Sequence, residues 1–190
     1  MTEHHTSSHW RFALEVVTPA VQRLLPNPGE RLAVELDPSD DDLLTAARAF
    51  FGEALRATSD GGKIPLPDAS ADFIYSFNAL WNAPDIATFE SFIRETARVL
   101  RPGGVAMLWC GRITRLPFAV NPSHWLRGWD GPGPTAPGAA IRVRSSLVRR
   151  LAIRAGMQAV ALSTPLHPDL SHRLLRAGPR SYITCWKPAG

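Results

Sequence analysis

The order of elements across residues 60–110 constrains this chain more than any other feature. It reads loop, apolar run, helical period, sharp stop, second apolar run. Asp60-Gly-Gly-Lys-Ile-Pro-Leu-Pro-Asp68 carries glycine and proline at a density that breaks helix and strand periods alike. Ala71-Asp-Phe-Ile-Tyr-Ser-Phe77 is short, apolar and rich in aromatic and β-branched residues, the composition of a buried strand. Pro84 and Asp85 precede a run in which Phe89, Phe92, Ile93, Ala97 and Leu100 recur at helical spacing, predicting a helix from about Ile86. Arg94, Arg98 and Arg101 fall in its closing turns, where cations suit the negative end of the helix dipole, and Pro102-Gly103-Gly104 stops it. Val105-Ala-Met-Leu-Trp-Cys110 then reads as another buried strand. Two strands joined by a helix form a crossover, so their sheet is parallel and the class is α/β.

The segment Asp60 to Asp68, followed by Arg98-Val-Leu-Arg-Pro-Gly-Gly104, resembles the second half of a class I S-adenosylmethionine-dependent methyltransferase of the small-molecule type. The resemblance implies a Rossmann-like three-layer sandwich with a mainly parallel sheet and an antiparallel last strand. Asp60 stands at the acidic position that hydrogen-bonds the adenine amino group; Asp72 opens the fourth strand and reads either as a further cofactor contact or as a structural cap before that strand. Gly156 to Leu162 and Ser181 to Pro188 resemble the final antiparallel pair, so the likeness covers roughly residues 30–188. The implied activity is methyl transfer from S-adenosylmethionine by in-line displacement at the sulfonium methyl.

One departure stands against this pattern. Such domains begin with a strand ending in Gly-x-Gly-x-Gly, where missing side chains let the backbone approach the cofactor. Here Arg31-Leu-Ala-Val-Glu-Leu-Asp37 is followed by Pro38-Ser-Asp-Asp-Asp42. From upstream, a helix at 10–25 and the Pro-Asn-Pro-Gly turn lead into it as into the family's first strand, with glycines replaced by Glu35, Asp37 and Pro38. From downstream, it resembles the second strand, whose terminal acid grips the ribose hydroxyls; Asp37 is then that acid. Both placements stay open. A buried strand at 71–77 needs a neighbour for its backbone groups, and 31–37 is the only strand read before it, so one β-α unit of the fold is missing.

Residues 1–9 read as a disordered polar tail and 10–190 as a single domain. No apolar run approaches the roughly 18 residues that span a bilayer, and no basic-then-apolar leader pattern is present, so the expectation is a cytoplasmic protein. His4, His5 and His9 lack the fixed geometry of a metal site, and no zinc spacing occurs; no metal is expected. Cys110 and Cys185 fall in strands and read as structural thiols, with a disulfide only if those strands adjoin.

Charge is uneven: residues 1–100 hold 15 Asp and Glu against 8 Lys and Arg, and residues 101–190 hold 2 against 13. Arg149, Arg150 and Arg154 fall on the polar side of a helix at about 145–155, opposite Leu147, Val148, Leu151 and Ile153. Without interleaved aromatics this reads as a solvated face, and nucleic acid is disfavoured as a partner.

Residues 112–140 carry many prolines and glycines and read as a lid or long loop. Its Trp125 and Trp129, with Trp81 after the fourth strand, are the candidate substrate contacts and point to a small apolar or aromatic acceptor; the equal alternative is that they replace core lost with the missing β-α unit. Methyl transfer depends mainly on positioning, with a general base needed for a hydroxyl acceptor; His124 and His167 are the catalytic candidates for it. The alternative is a non-catalytic methyltransferase-like partner or scaffold, which loss of the glycine turn favours. A homodimer or partner protein would cover an exposed sheet edge in either case.

Overall fold

Ala71–Ser76 (β3) is buried along its whole length, as only a strand flanked on both edges and covered on both faces can be. One edge pairs in parallel with Leu32–Leu36 (β1), placing Ala33 opposite Phe73 and Glu35 opposite Tyr75. The other pairs in parallel with Leu100–Arg112 (β4), Phe73 opposite Val105. The computed structural model describes residues 19–38, 41–112, 129–130, 141–163 and 180–189, and these fix the rest of the sheet. Glu53–Ala57 (β2) lies parallel outside β1, with Leu32 opposite Glu53. Arg180–Trp186 (β8) lies antiparallel beside β4, and Gln158–Ser163 (β7) antiparallel beside β8. The sheet therefore runs β2-β1-β3-β4-β8-β7. Trp129–Asp130 (β5) and Arg142–Val143 (β6) extend it past the end of β3, where Gly111 of β4 pairs with Arg142.

Alternation along the strands makes two cores. Ala33, Phe73, Tyr75, Val105 and Met107 face Pro19–Leu24 (α1) and Asp41–Phe50 (α2), burying Val21, Leu43, Ala47 and Phe51; the Phe51 and Phe73 rings stack 5.1 Å apart. Val34, Leu36, Ile74, Ala106 and Leu108 face Ile86–Val99 (α3) and Ser145–Arg154 (α4), burying Phe89, Phe92, Ile93, Val148 and Leu151. Helix, sheet and helix layers result, as expected from the β-α-β order.

α3 starts where Asp85 caps it, the carboxylate accepting from the Thr88 N–H at 2.8 Å. It ends at Val99, and the cation at its carbonyl end is Lys187, whose Nζ donates to Ala97 O and Leu100 O at 2.8 and 2.7 Å. Arg98 and Arg101 turn instead toward residues 64–72. β4 is longer than residues 105–110 because Gly103 and Gly104 exchange backbone bonds with Lys187, carrying the ladder back toward the helix.

Several expectations change. Residues 31–37 do pair with 71–77, but they are not the only strand before residue 71, because β2 follows. Glu-Ala-Leu-Arg-Ala has little strand propensity and holds its place through pairing with β1. Residues 58–70 then return to β3 without a helix, so the chain is one β-α unit short, as expected. By position, β1 is the strand beside β3, and β2 closes the gap left by the lost unit. Ile153 is 56% exposed, and Ala152 takes its place on the buried side of α4 with Leu147, Val148 and Leu151. Cys110 lies opposite Ser181 and Cys185 opposite Ala106, a four-residue offset of roughly 13 Å along the strands, beyond disulfide reach. Both thiols are free and buried. Among the described residues no helix is long and apolar enough to cross a membrane, and no group of three or more His, Cys, Asp and Glu could hold a metal ion.

Candidate functional site

Parallel strands present their carboxyl ends together, and in open α/β sheets ligands bind there. β1, β2 and β3 end side by side at Leu36, Ala57 and Ser76, and the residues just beyond them are tied into one polar edge. Asp37 turns the chain after β1 in the left-handed region, φ 50°, a conformation that glycine adopts far more readily. Its carboxylate stabilises that turn. Oδ1 accepts from the Ser59 N–H and Oδ2 from the Ser59 hydroxyl, both at 2.7 Å. Its own N–H donates to Ala57 O at 3.0 Å, and its carbonyl accepts from Asn78 Nδ2 at 3.5 Å. Across β3, Ser76 Oγ accepts from the Asn78 and Ala79 N–H groups at 3.3 and 3.0 Å and shapes the turn leading to Trp81.

Asp60 follows one residue after Ser59. It exchanges two backbone hydrogen bonds with Lys63, N–H to O at 3.0 Å and O to N–H at 2.9 Å. Gly61 and Gly62, φ 55° and 84°, form the two-residue link, the pairing that a tight hairpin of this hand requires. The Asp60 carboxylate is exposed at this edge.

Below the edge lies a charged row on the α1–α2 face of the sheet. Glu35, 1% exposed, accepts from Arg56 Nε at 3.1 Å, and these two residues and Tyr75 stand abreast on β2, β1 and β3. Burial pushes the Tyr75 phenol well above its ordinary 10.0, and the Glu35 carboxylate adds to the rise, so Tyr75 stays a neutral phenol at physiological pH. Phe77 and Trp109 form an apolar wall beside this row, ring centroids 4.1 Å apart and tilted by 31°.

Asp37 and Asp60, both expected as cofactor contacts, are thus brought to one end of the sheet and joined through Ser59. Asp72 is at the other end. It lies at the start of β3, 4% exposed, accepting from the Leu32 N–H at 3.0 Å, Arg101 Nη1 at 2.8 Å and Arg31 Nη1 at 3.3 Å. There the carboxylate ties the amino ends of β1 and β3 together, which fits the structural one of its two readings. Trp81 is half-buried in the turn after β3, on the Asp37 side. Trp129 is half-buried and packs against the α3–α4 core. His124, Trp125 and His167 lie outside the described residues.

Sequence reading missed Ser59, Asn78, Phe77 and Trp109 as members of this edge. Asn78 and Phe77 had a signal, since both directly follow a buried strand; Ser59 had none until β2 was known to lie against β1. The edge offers carboxylate and amide oxygens that accept from hydroxyl and amino groups, beside an aromatic wall. Acceptors of this kind are what the amino and hydroxyl groups of a nucleoside would meet, although both Asp37 oxygens are already engaged by Ser59. The left-handed turn at Asp37 is a backbone that glycine adopts without strain, but here it carries a side chain.

Residues 18–108 match a family model described as a methyltransferase domain. Solved structures similar to the whole chain include an S-adenosylmethionine-dependent methyltransferase from Mesorhizobium loti, 18% identical, covering 89% of this chain and 96% of that one at a TM-score of 0.55. A proposed methyltransferase of the same kind from Listeria monocytogenes is 12% identical, with 95% and 97% covered at 0.59. The complex of the Haloferax volcanii Trm112 methyltransferase activator with a proposed methyltransferase gives 16%, with 96% and 94% covered at 0.54. At these identities the likeness establishes the fold. No curated protein matches the sequence.

Proposed function

We propose, from the premise that this chain has the class I S-adenosylmethionine-dependent methyltransferase fold, that it transfers a methyl group to a small, apolar or aromatic acceptor. The observation that carries the proposal is the edge at the strand ends, where Asp37, Ser59, Asp60 and Asn78 are gathered at one end of the sheet. Asp60 accepts from the adenine amino group, and Asp37 faces the ribose hydroxyls. Bound S-adenosylmethionine supplies an electrophilic methyl on a sulfonium centre. The chain supplies orientation: Trp81, Trp125 and Trp129 seat the acceptor, and holding it in attack geometry accounts for most of the acceleration. His124 or His167 takes the proton when the acceptor is a hydroxyl. The reading places the protein in the cytoplasm.

A second reading, a non-catalytic partner protein, is favoured by one feature. Both Asp37 oxygens already accept from Ser59, so ribose hydroxyls compete for acceptors that are in use. Structures similar to this chain include one with an activator protein bound. Titration calorimetry with S-adenosylmethionine and S-adenosylhomocysteine separates the two readings. Binding in the roughly micromolar range, lost in Asp60→Ala, supports methyl transfer; absence of heat at millimolar ligand supports the partner role.

A further inference from the structure

Residues 64–68 cross beside α3 without pairing to any strand among the described residues, yet Ile64 is 3% exposed and its backbone groups need partners. Two side chains of α3 provide them, with the Leu66 N–H adding a bond to the Ile64 carbonyl at 2.8 Å. The Ile64 N–H donates to Glu95 Oε2 at 3.2 Å, and its carbonyl accepts from Arg98 Nη2 at 2.9 Å. Arg98 Nη1 also donates to Leu66 O at 2.9 Å and to Asp68 Oδ1 at 2.6 Å. Its Nε and Nη2 close on the two Glu95 oxygens at 3.0 and 2.8 Å. Arg98 and Glu95 thus act toward Ile64 as a neighbouring strand would.

Ile64 directly follows Lys63, which is bridged in both directions to Asp60. The hairpin tip is fixed as well: a Cβ on Gly62 would stand 2.8 Å from Thr88 O of α3. We propose that Arg98 and Glu95 are positioning residues for cofactor recognition, setting the direction of the Asp60 carboxylate through Ile64 and the Asp60–Lys63 bridge. The inference rests on the reading of Asp60 as the adenine contact. Lysine does not replace arginine here, because only the planar fork reaches two carbonyls and two carboxylates at once.

The test compares S-adenosylhomocysteine with S-inosylhomocysteine, in which oxygen replaces the adenine amino group. A carboxylate held toward that amino group favours the first ligand in the parent chain by about tenfold or more. In Arg98→Lys the preference falls to about twofold, because Ile64 loses its anchor and the base of the hairpin no longer aims its acceptor. Arg101→Lys, whose partners are Ala69 O and Asp72, keeps the parent preference. A role in stability alone would lower the melting temperature of Arg98→Lys and leave the ligand ratio unchanged. An unchanged ratio in Arg98→Lys overturns the inference and leaves the adenine reading standing. A parent chain that binds neither ligand, or both equally, overturns the two together. Should Arg98→Lys fail to fold, Glu95→Gln, which keeps an acceptor for Ile64 but loses the ion pair, is expected to lower the ratio; an unchanged ratio there also overturns the inference.

Discussion

Replacing Asp72 with alanine separates a structural carboxylate from a ligand-binding one. The side chain is 5% exposed and has three partners: the Leu32 N–H at 3.0 Å, Arg101 Nη1 at 2.8 Å and Arg31 Nη1 at 3.3 Å. The arginines are 48% and 39% exposed, so each regains water when the carboxylate is lost, and such solvent-screened pairs contribute about 0.5 kcal/mol apiece. The N–H of Leu32 differs, because it opens β1 at a half-buried position and is held by a buried carboxylate; losing its charged acceptor costs about 2 kcal/mol. The sum is about 3 kcal/mol, a sizeable share of the roughly 5–15 kcal/mol that holds a domain folded. Urea unfolding followed by circular dichroism should show an earlier midpoint at unchanged slope, and the melting temperature should fall by about 6–12 °C. Affinity for S-adenosylhomocysteine should stay within about twofold of the parent, since a site at the other end of the sheet is unaffected. Full stability with lost affinity would return Asp72 to the cofactor site and refute the placement.

Gly62→Ala forces a side chain into the left-handed region and against Thr88 O, so a loss of about 2 kcal/mol or more is expected in the same unfolding assay. Burial pushes the Cys185 thiol up to about 12, and Cys110 is equally enclosed. A thiol reagent at mildly alkaline pH should therefore label neither in the native protein and both after denaturation; prompt native labelling of either would contradict the packing. The Glu95 carboxyl is held below its ordinary 4.5, first by its hydrogen bond from Arg98 and then by the Ile64 N–H, against the opposing effect of burial. A lowered folded value gives stability that is present above 4.5 and lost as pH falls through the folded value. Stability should thus decline on acidification below about pH 4.5, and Glu95→Gln should make that decline shallower; an identical slope in the variant would exclude Glu95 as a contributor.

The middle of the fold was legible because each local signal agreed with the next. An apolar run, the cap at Asp85, helical spacing and a stop at Pro102 leave few arrangements other than β3-α3-β4. β2 was not legible, since Glu53-Ala-Leu-Arg-Ala is specified by its neighbour on the ladder and not by its own residue types. The bond from Ser59 to Asp37 was hidden for the same reason. Arg98 and Arg101 read as cations for a helix end, whereas Lys187, distant in sequence, fills that place and frees them to hold residues 64–72. Helical spacing alone likewise misplaced Ile153, because it cannot say how wide the buried stripe of α4 is. Asp72 reads in the sequence as a cofactor contact or a structural cap, and its place at the opening of a parallel strand, at the end opposite the ligand edge, favours the cap.

The most direct test of the account is a map of backbone amide shifts during titration of the isotope-labelled chain with S-adenosylhomocysteine. The account expects the largest changes at Asp37, Ser59, Asp60 and Asn78, at the carboxyl ends of β1, β2 and β3, with Leu32, Asp72 and Arg101 unmoved. Shifts centred on Leu32, Asp72 and Arg101, or none at saturating ligand, would contradict it.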